Sequence, residues 1–562
     1  MHPLFPSLFL AATTVVTRVP ADCSPVPLYE GGQPHGAVCP ANAPDATIVS
    51  LADDWAPGVF GEEAERPPAY RARFVALANE TFGEGDDWQS ARSDRYFELF
   101  GVFPSFAVIR ARLLDEARHR CHTGIDGAAL SSRTRPHGGE GADAPAIEVA
   151  QAHLRCERLL AGGRAGAFDG PTSVALRIYQ RRHMLPSPGT LDRETRQTLA
   201  TDSRELDFRT LLRTLRERVV DATGLIEDGS ARNAPEQILG RWIESPEYRT
   251  SLRPAPLPMG APDLIARATE AAAVALGWTS PEAAAHALAL PLPPLVALRL
   301  PALPPYHGPT MRLRAEIDRG DVWTSFPLDA EGQRRPSPAR WRPCLTLFAA
   351  TERGEVALVR WPTTIGAWKP EKVGDDQEIL RYKPSPTGRW YWRELVAGPA
   401  WLPPPTTPDR ELLRRNATGA WAVDQDGIGP GYRSAFGLAA LLHQRPAGAD
   451  APYFDFGIRT HGSGNYRSIL RGSSHGCHRL FNHLALRLGS FVLAHAEHEP
   501  RGEMAERYAR ALHHKGRTYH LRVPSRGYLY VLKQPIPVDV LPGRIVRSRP
   551  IPGARPAPVP ST

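Results

Sequence analysis

The hydrophobic pattern divides the chain into two textures. From Tyr70 to Arg120 apolar residues recur at helical spacing, as in RARFVALANETF and FAVIRARLLDEARHRC. The run Arg133 to Ala144 is polar and glycine-rich and predicts a loop. Helical spacing resumes near Ile147. Asp169-Gly170 is then a turn pair, and Pro171 with Thr172 starts a second helix along which Ala175, Ile178, Tyr179 and Arg182 share a face. Ser187 to Gly189 breaks that helix, and Asp192 can cap a third, short one with Leu199 facing inward. Ile147 to Thr201 therefore predicts a three-helix module of about 55 residues. Thr201 to Ala287 is again helical and mixed in charge, and suggests no chemistry. Beyond the connector PLPPLVALRLPALPPYHGP the texture changes. From Met311 the runs MRLRAEI, CLTLFAA, VALVRW, GRWYWREL and YFDFGIRTHG alternate with turns, which predicts a β-rich domain to about Leu532. Two helical stretches are expected within it, Ala435 to Gln444 and Leu484 to His495.

The expected fold class is multidomain: an α-helical N-terminal half containing the three-helix module, then a mostly β, sandwich-like domain. The expected bounds are a signal peptide at 1–22, a helical region with loops at 23–144 and the module at 145–202. A helical region with a proline-rich linker follows at 203–310, then the β-rich domain at 311–535 and a Pro/Arg-rich tail at 536–562. A length of 562 residues exceeds what one core holds. The hydrophobic share of 42% and charged share of 23% are those of a globular protein, which excludes wholesale disorder. The 57 prolines, about twice the usual share, include Pro291 to Pro305 and read as stiff linker and loop material.

The net charge of +8 suits an anionic partner, but the arginines are spread along the chain. No basic stripe with interleaved aromatics is present, so nucleic acid is not expected, whereas anionic cell-surface polymers and membranes remain compatible. Leu4 to Val16 is apolar, of signal-peptide length and too short to span a bilayer, although its leading residues include only His2 and no Lys or Arg. The expectation is export without an integral membrane segment; a misassigned start or a buried strand is the alternative. Of six cysteines, Cys23–Cys39 and Cys121–Cys156 could pair locally in an exported protein, or all four could be isolated buried thiols. Cys344 reads as core. His119 and His122, beside Cys121, read as residues of a surface helix.

The chemistry concentrates in FGIRTHGSGNYRSILRGSSHGCHRLFN, Phe456 to Asn482. A cysteine attacks an amide only as thiolate, so it needs a base or a cation beside it. His461 and His475 lie within reach of Cys477 in one folded loop. Gly476 removes a side chain where substrate and backbone must approach closely. Backbone N–H groups at Gly476 and Cys477 can face a developing oxyanion. Arg479, two residues on, shares a strand face with Cys477 and can take a substrate carboxylate. The four histidines His461, His475, His478 and His483 could instead hold zinc, but no carboxylate or HxxxH spacing accompanies them, so no metal or other cofactor is expected. His478 reads as a bystander.

Two resemblances follow from these residues. Asp169-Gly170, Ala175-Leu176 with Tyr179-Gln180, Leu185 to Asp192, and Thr195 with Leu199 resemble the small peptidoglycan-binding domains found beside wall enzymes. Tyr179 stands where that family usually has Phe, and Pro188-Gly189 replaces its usual Asp-Gly. His461-Gly462 followed by Ser474-His475-Gly476-Cys477 and Arg479 resembles the signature of the YkuD-type L,D-transpeptidases, with Leu480 in the apolar position after the arginine. Thr364-Ile365-Gly366 and Ser385-Pro386-Thr387-Gly388 look like that family's upstream segments, so the resemblance spans roughly Met311 to Leu532. It departs in one respect: only twelve residues, Gly462 to Ser473, separate His461 from Ser474. The resemblance implies Cys477 as nucleophile, His461 as base and His475 as an oxyanion helper. Gly476 and Cys477 would supply oxyanion N–H groups, and Arg479, Ser474 and Gly462 would bind substrate. It further implies peptidoglycan stem peptides and glycan as partners, a thioester intermediate, no cofactor, and a periplasmic or cell-envelope location. A hydrolase on the same fold, such as an L,D-carboxypeptidase, and a non-catalytic wall-binding scaffold are the rivals. The oligomeric state is not indicated.

Overall fold

The computed structural model describes residues 23–60, 105–131, 144–241 and 252–546, apart from short breaks at 184, 186–188, 336, 338, 374–376, 417–418, 432–433 and 448–451. The expected signal segment, the periodic stretch up to residue 104, the loop at 133–143 and the tail from 547 lie outside these residues.

The chain opens with strands β1 (Val26–Glu30), β2 (Gln33–Val38) and β3 (Thr47–Ser50), which corrects the helical reading of the first part of 23–144. A disulfide joins Cys23 to Cys39 at the ends of the β1–β2 hairpin. Two helices follow, α1 (Phe106–Leu113), capped by Ser105, and α2 (Glu116–Thr123), capped by Asp115. A second disulfide ties Cys121 on α2 to Cys156 at the end of α3 (Ala144–Cys156).

The helices α3, α4 (Gly170–Arg182) and α5 (Arg193–Leu199) enclose a small core of Ala150, Leu154, Ala175, Leu176, Tyr179 and Leu199. Its hydrogen bonds repeat. Asp169 Oδ1 accepts from the N–H and hydroxyl of Thr172, whose Oγ1 takes a bond of 2.8 Å from buried Gln151. Asp192 Oδ1 accepts likewise from Thr195, whose Oγ1 takes a bond of 2.8 Å from buried Gln180. In each half the glutamine oxygen also accepts a glycine N–H, that of Gly166 or Gly189. Each capping Asp thus starts a helix, and each Gln ties the preceding loop to that start.

The long helix α6 (Ser203–Thr223) begins at capping Asp202 and ends where Gly224 turns the chain at φ +65°. It packs with α7 (Leu264–Ala275) and α8 (Pro281–Ala287) around Phe208, Leu211, Leu215 and Trp278. Within the proline-rich connector, Leu295–Leu298 forms strand β4 between β1 and β3, in the sheet order β2-β1-β4-β3. Reading this connector as linker was wrong. Val296, Ala297 and Leu298 are fully buried, so flanking prolines delimit a strand here rather than stiffen a spacer.

The β-rich part contains β5 (Leu313–Asp318), β6 (Asp321–Trp323), β7 (Cys344–Thr351), β8 (Gly354–Pro362), β9 (Ile365–Gly366), β10 (Trp368–Val373), β11 (Gln377–Tyr382) and β12 (Gly388–Ala397). It continues through β13 (Leu413–Arg415), β14 (Trp421–Val423), α9 (Gln425–Ile428), β15 (Ala439–Pro446), β16 (Tyr453–Gly462) and α10 (Tyr466–Arg471). The last elements are β17 (Ser473–Ser474), β18 (His478–Leu480), α11 (Asn482–His495), β19 (His498–His514), β20 (Arg517–Val540) and β21 (Arg544–Val546). The main sheet runs β18-β16-β15-β12-β20-β5-β7-β8, with β19 paired to β20. Two expectations change. Ala435 to Gln444 is not helical: β15 is a central strand buried on both faces, and such a continuous apolar run carries no alternation to mark it. The sheet also extends past 535, with Ile536, Val538 and Val540 buried on β20 where a tail was expected.

The helical and β-rich parts share a core. Trp55, Val59, Phe60 and Ile226 pack with α11 and the sheet, Arg487 on α11 donates to Glu217 on α6 at 2.6 Å, and the Tyr530 hydroxyl donates to the Val59 carbonyl. Among the described residues no helix is long and apolar enough to cross a membrane.

Candidate active site

Alternate residues of three adjacent strands form one sheet face. Glu394 and Val396 on β12, Ala440, Leu442 and Gln444 on β15, and Asp455, Gly457, Arg459 and His461 on β16 floor a pocket of about 590 Å³. The two-residue period of a strand is what brings these together, while the residues between them face the core packed by α11. Hairpin β10–β11, through Pro370 and Glu371, contributes to another wall, as does the segment Pro399–Glu411.

The loop from Ser474 to Arg479 is stitched to the sheet by hydroxyl groups. Ser474 Oγ donates to the carbonyls of Cys477 at 2.6 Å and Ile365 at 3.2 Å, and it accepts the Gly476 N–H at 3.1 Å. Thr364 Oγ1 donates to the Cys477 carbonyl and accepts the Arg479 N–H, while Thr363 donates to the Arg479 carbonyl. Ser385 donates to the Gly476 carbonyl at 2.7 Å and accepts from the N–H of Gly366. Gly476 sits at φ +114°, and a Cβ there would lie 2.8 Å from the Pro384 carbonyl oxygen. Only glycine lets the Ser385 strap approach this closely.

His461 is fully buried at the end of β16. Its Nδ1 can only donate to the Gly462 carbonyl, so the tautomer is fixed with the lone pair on Nε2. Nε2 has no hydrogen-bond partner. Burial, then the charge of Arg479, lower the imidazole to about 3, so it is neutral at physiological pH. Cys477 is half-exposed to the pocket, and its thiol donates to the Gly457 carbonyl at 3.6 Å rather than to His461. Desolvation raises the thiol above its ordinary value, with Arg459 and Arg479 opposing. The resting pair is therefore thiol and neutral imidazole, not an ion pair.

His475 opens onto the pocket, and its surroundings, chiefly desolvation and then Lys369 and Arg479, lower it to about 4. Arg479 lines the pocket with one guanidinium N–H on Ser468 Oγ at 3.0 Å and its Nε without a partner. It makes no ion pair among the described residues, as a carboxylate-binding group requires. Arg459, by contrast, is paired with Asp455, which also accepts the Gly457 N–H. Gly457 stands at φ +78°, and the turn so clamped presents its carbonyl to Cys477.

Of the residues singled out in the sequence, Cys477, His461, His475 and Arg479 meet in the pocket, and Gly462, Ser474 and Gly476 do not line it. Three expectations are corrected. Ser474 is buried and its hydroxyl is committed to the loop, so it holds the Cys477 loop in place rather than facing the pocket. Gly462 packs against Asn482, whose side-chain oxygen would lie 2.1 Å from an added Cβ, and its carbonyl orients His461. The Gly476 N–H is taken by Ser474, which leaves the Cys477 N–H for an oxyanion.

Histidine His478 is buried on Thr364. His119 and His122 are buried rather than on a surface helix: His122 joins His153 and Glu157, and His119 joins Ser203. Cys344 is core, pushed up to about 12 by burial. Among the described residues no group of three or more His, Cys, Asp or Glu is placed to hold a metal ion.

Sequence reasoning missed Asp455, Gly457 and Arg459. The signal was a charged residue two positions before His461, where strand alternation points it to the same face. The roles of Thr364 and Ser385 became specific only through their bonds to the loop.

Residues 345–506 match the family model for YkuD, the L,D-transpeptidase catalytic domain. The match contains the whole Cys477 loop, His461, Thr363, Thr364 and Ser385, whereas β5 and all of β20 complete the sheet from outside it. No curated protein matches the chain.

Proposed function

We propose that the protein is a cysteine L,D-transpeptidase of the bacterial cell wall. One observation carries the reading: within the matched catalytic domain, a neutral His461 with a free Nε2 shares a pocket with the Cys477 thiol. Substrate entry turns the thiol away from Gly457, a long and weak hydrogen bond, toward His461 Nε2. Nε2 takes the proton and the thiolate attacks the peptide carbonyl of a donor stem peptide. The oxyanion rests on the Cys477 N–H, with the His475 N–H helping. The tetrahedral species collapses by breaking its C–N bond, and His461 returns its proton to the departing amine of D-alanine. A thioester remains on Cys477. The amine of a second stem, in this reading the diaminopimelate side chain, attacks it, gives a proton through His461, and releases Cys477. No cofactor takes part.

Arg479 takes a substrate carboxylate. The three-helix module at 145–202 binds the glycan polymer and raises the local substrate concentration rather than contributing chemistry. Its doubled Asp-Thr-Gln arrangement supports the resemblance to peptidoglycan-binding domains. The two disulfides suit an exported, cell-envelope protein.

The test incubates the protein with a disaccharide-tetrapeptide and reads products by mass. Expected is a cross-linked dimer with loss of D-alanine, absent in Cys477→Ala. Tripeptide alone would mean that water resolves the thioester and that the enzyme is a carboxypeptidase. No turnover with an unreactive thiol would favour a binding scaffold.

A further inference from the structure

Away from the pocket, the last hairpin of the sheet carries a second concentration of charge. Strand β20 pairs with β12 only from Tyr528 onward, so from Arg517 to Ser525 its ladder partner is β19 and the two strands project as a ribbon. Alternation gives the ribbon two unlike faces. Leu512, Leu521 and Val523 pack on Leu412 and Leu413, and Arg510 on that face is held by Asp409 at 2.6 Å. Beneath them Asp424 and Asp426 pair with Arg414. The opposite face is exposed and carries Arg507, His513, His520 and Arg522. Ala509 stands opposite Arg522 and Ala511 opposite His520, so nothing bulky separates the long side chains. Arg507, Arg522 and Arg517, the last beside the tip, form no ion pair among the described residues. No Asp or Glu occurs between Glu506 and Asp539. From Arg507 on, the ribbon lies outside the matched catalytic domain, and the reaction proposed above gives these arginines no role.

We infer that the exposed face of this ribbon docks a linear polyanion whose phosphates repeat along an extended chain. Same-face positions on a strand recur about every 7 Å, so the cations form a row roughly 25 Å long and only two strands wide. A row of that shape complements a chain of charges, whereas a bilayer spreads its charges over a plane far wider than the face. Guanidinium forks with no acid partner fit phosphate oxygens bidentately. The face holds no Leu, Ile or Phe to enter acyl chains, and no Phe, Tyr or Trp on which a nucleic-acid base would stack. The ribbon's pocket-lining residues, Met504 and Arg526, belong to its root, so docking holds the protein on the polymer without entering the pocket.

The experiment titrates the full chain into a short, dye-labelled poly(glycerol phosphate) and reads anisotropy at about 50 and 200 mM salt. Arg507→Gln with Arg517→Gln and Arg522→Gln should weaken binding about tenfold or more at the lower salt and reduce the salt slope by about 2. A control carrying Arg120→Gln, Arg312→Gln and Arg353→Gln removes the same charge from exposed positions elsewhere and should bind nearly as the natural protein does. Arg522→Gln alone should cost about threefold, and melting curves check that each variant is folded. Equal losses in the two triple variants would mean general charge attraction and overturn the inference, as would no binding of the polymer. Phosphatidylglycerol vesicles binding more tightly than the polymer at equal phosphate, with the same dependence on the three arginines, would also overturn it and assign the ribbon to a bilayer. None of these outcomes involves D-alanine release, so the docking face stands or falls apart from the transpeptidase reading.

Discussion

Two buried clusters of charged side chains differ in what they leave over. In the helical half, Glu157 accepts from Arg112, Arg118, Arg182 and His122, and Asp207 accepts from Arg112 and Arg118. Every carboxylate oxygen is used, and the bonds join α1, α2, α3, α4 and α6. In the pocket, Arg479 has no acid, His461 Nε2 has no donor, and the Cys477 thiol rests on a weak carbonyl contact. Both clusters desolvate charge or polarity. The first recovers that cost within the protein, and in the proposed reaction the second leaves it to be recovered by substrate. Saturation marks the structural cluster, and deficiency marks the one proposed to react.

The largest expected effect breaks the pocket. On the proposed mechanism Cys477→Ala should remove thioester chemistry altogether, lowering turnover by about 10⁴-fold or more, since a methyl side chain cannot form the thioester. Intact-protein mass after incubation with tetrapeptide or a carbapenem should show an adduct on the natural protein and none on the variant. His461→Gln keeps a polar group but no base and should lower kcat by about 10²–10⁴-fold. The neutral resting pair adds a sign. Because the thiol is raised and His461 is held near 3, alkylation of free Cys477 by iodoacetamide should keep rising with pH beyond about 8.5, the ordinary cysteine value. A plateau already reached at pH 7 would show a thiolate–imidazolium pair and sink the resting state described here.

The saturated cluster should respond in the opposite manner. Glu157→Gln leaves Arg112, Arg118 and Arg182 around an uncharged amide and should cost about 3–5 kcal/mol of stability, read as an earlier thermal transition. Turnover of soluble tetrapeptide should be unchanged at temperatures where the variant is folded. Burial alone would raise Glu157, but Arg112, the His122 hydrogen bond, Arg118 and Arg182 hold its carboxyl well below the usual range. A depressed folded value stabilises above the unfolded value of about 4.3 and is lost as pH falls through the folded one. The gap between natural protein and variant should therefore persist through neutral pH and close only below about pH 4. A variant that melts normally but loses turnover would mean that this cluster communicates with the pocket.

How much was legible follows the same division. That Cys477, His461 and Arg479 meet in one pocket was legible, because their spacing around the two tight glycines Gly462 and Gly476 folds them together. The caps Asp192 and Ser280 were the kind of local signal that sequence carries well; of these, Asp192 was read in advance. Strand β4 was not legible, since its partners β1 and β3 lie more than 240 residues upstream and proline flanks resemble a linker. Strand β15 failed because its start, Ala439 to Leu442, is apolar on both faces, which fits a buried strand and a buried helix alike. His119 and His122 seemed exposed because the acid that pairs with the second, Glu157, sits more than 30 residues away, just past the end of α3. Which polar side chain is saturated and which is deficient depends on contacts between distant segments, and no spacing rule reaches them.

The smallest expected effect probes the straps that separate the two behaviours within one loop. Thr364 is fully buried and joins the Cys477 carbonyl to the Arg479 N–H. Thr364→Val keeps its shape and removes both bonds. The Cys477 carbonyl keeps Ser474, but the Arg479 N–H loses its acceptor, so the cost should be about 1–3 kcal/mol. If the straps only support the loop, melting should shift and kcat should fall modestly while the alkylation pH profile stays in place. A shifted profile would mean that Thr364 also sets the electrostatics of Cys477, and the line between saturated support and deficient chemistry would then run through the strap itself.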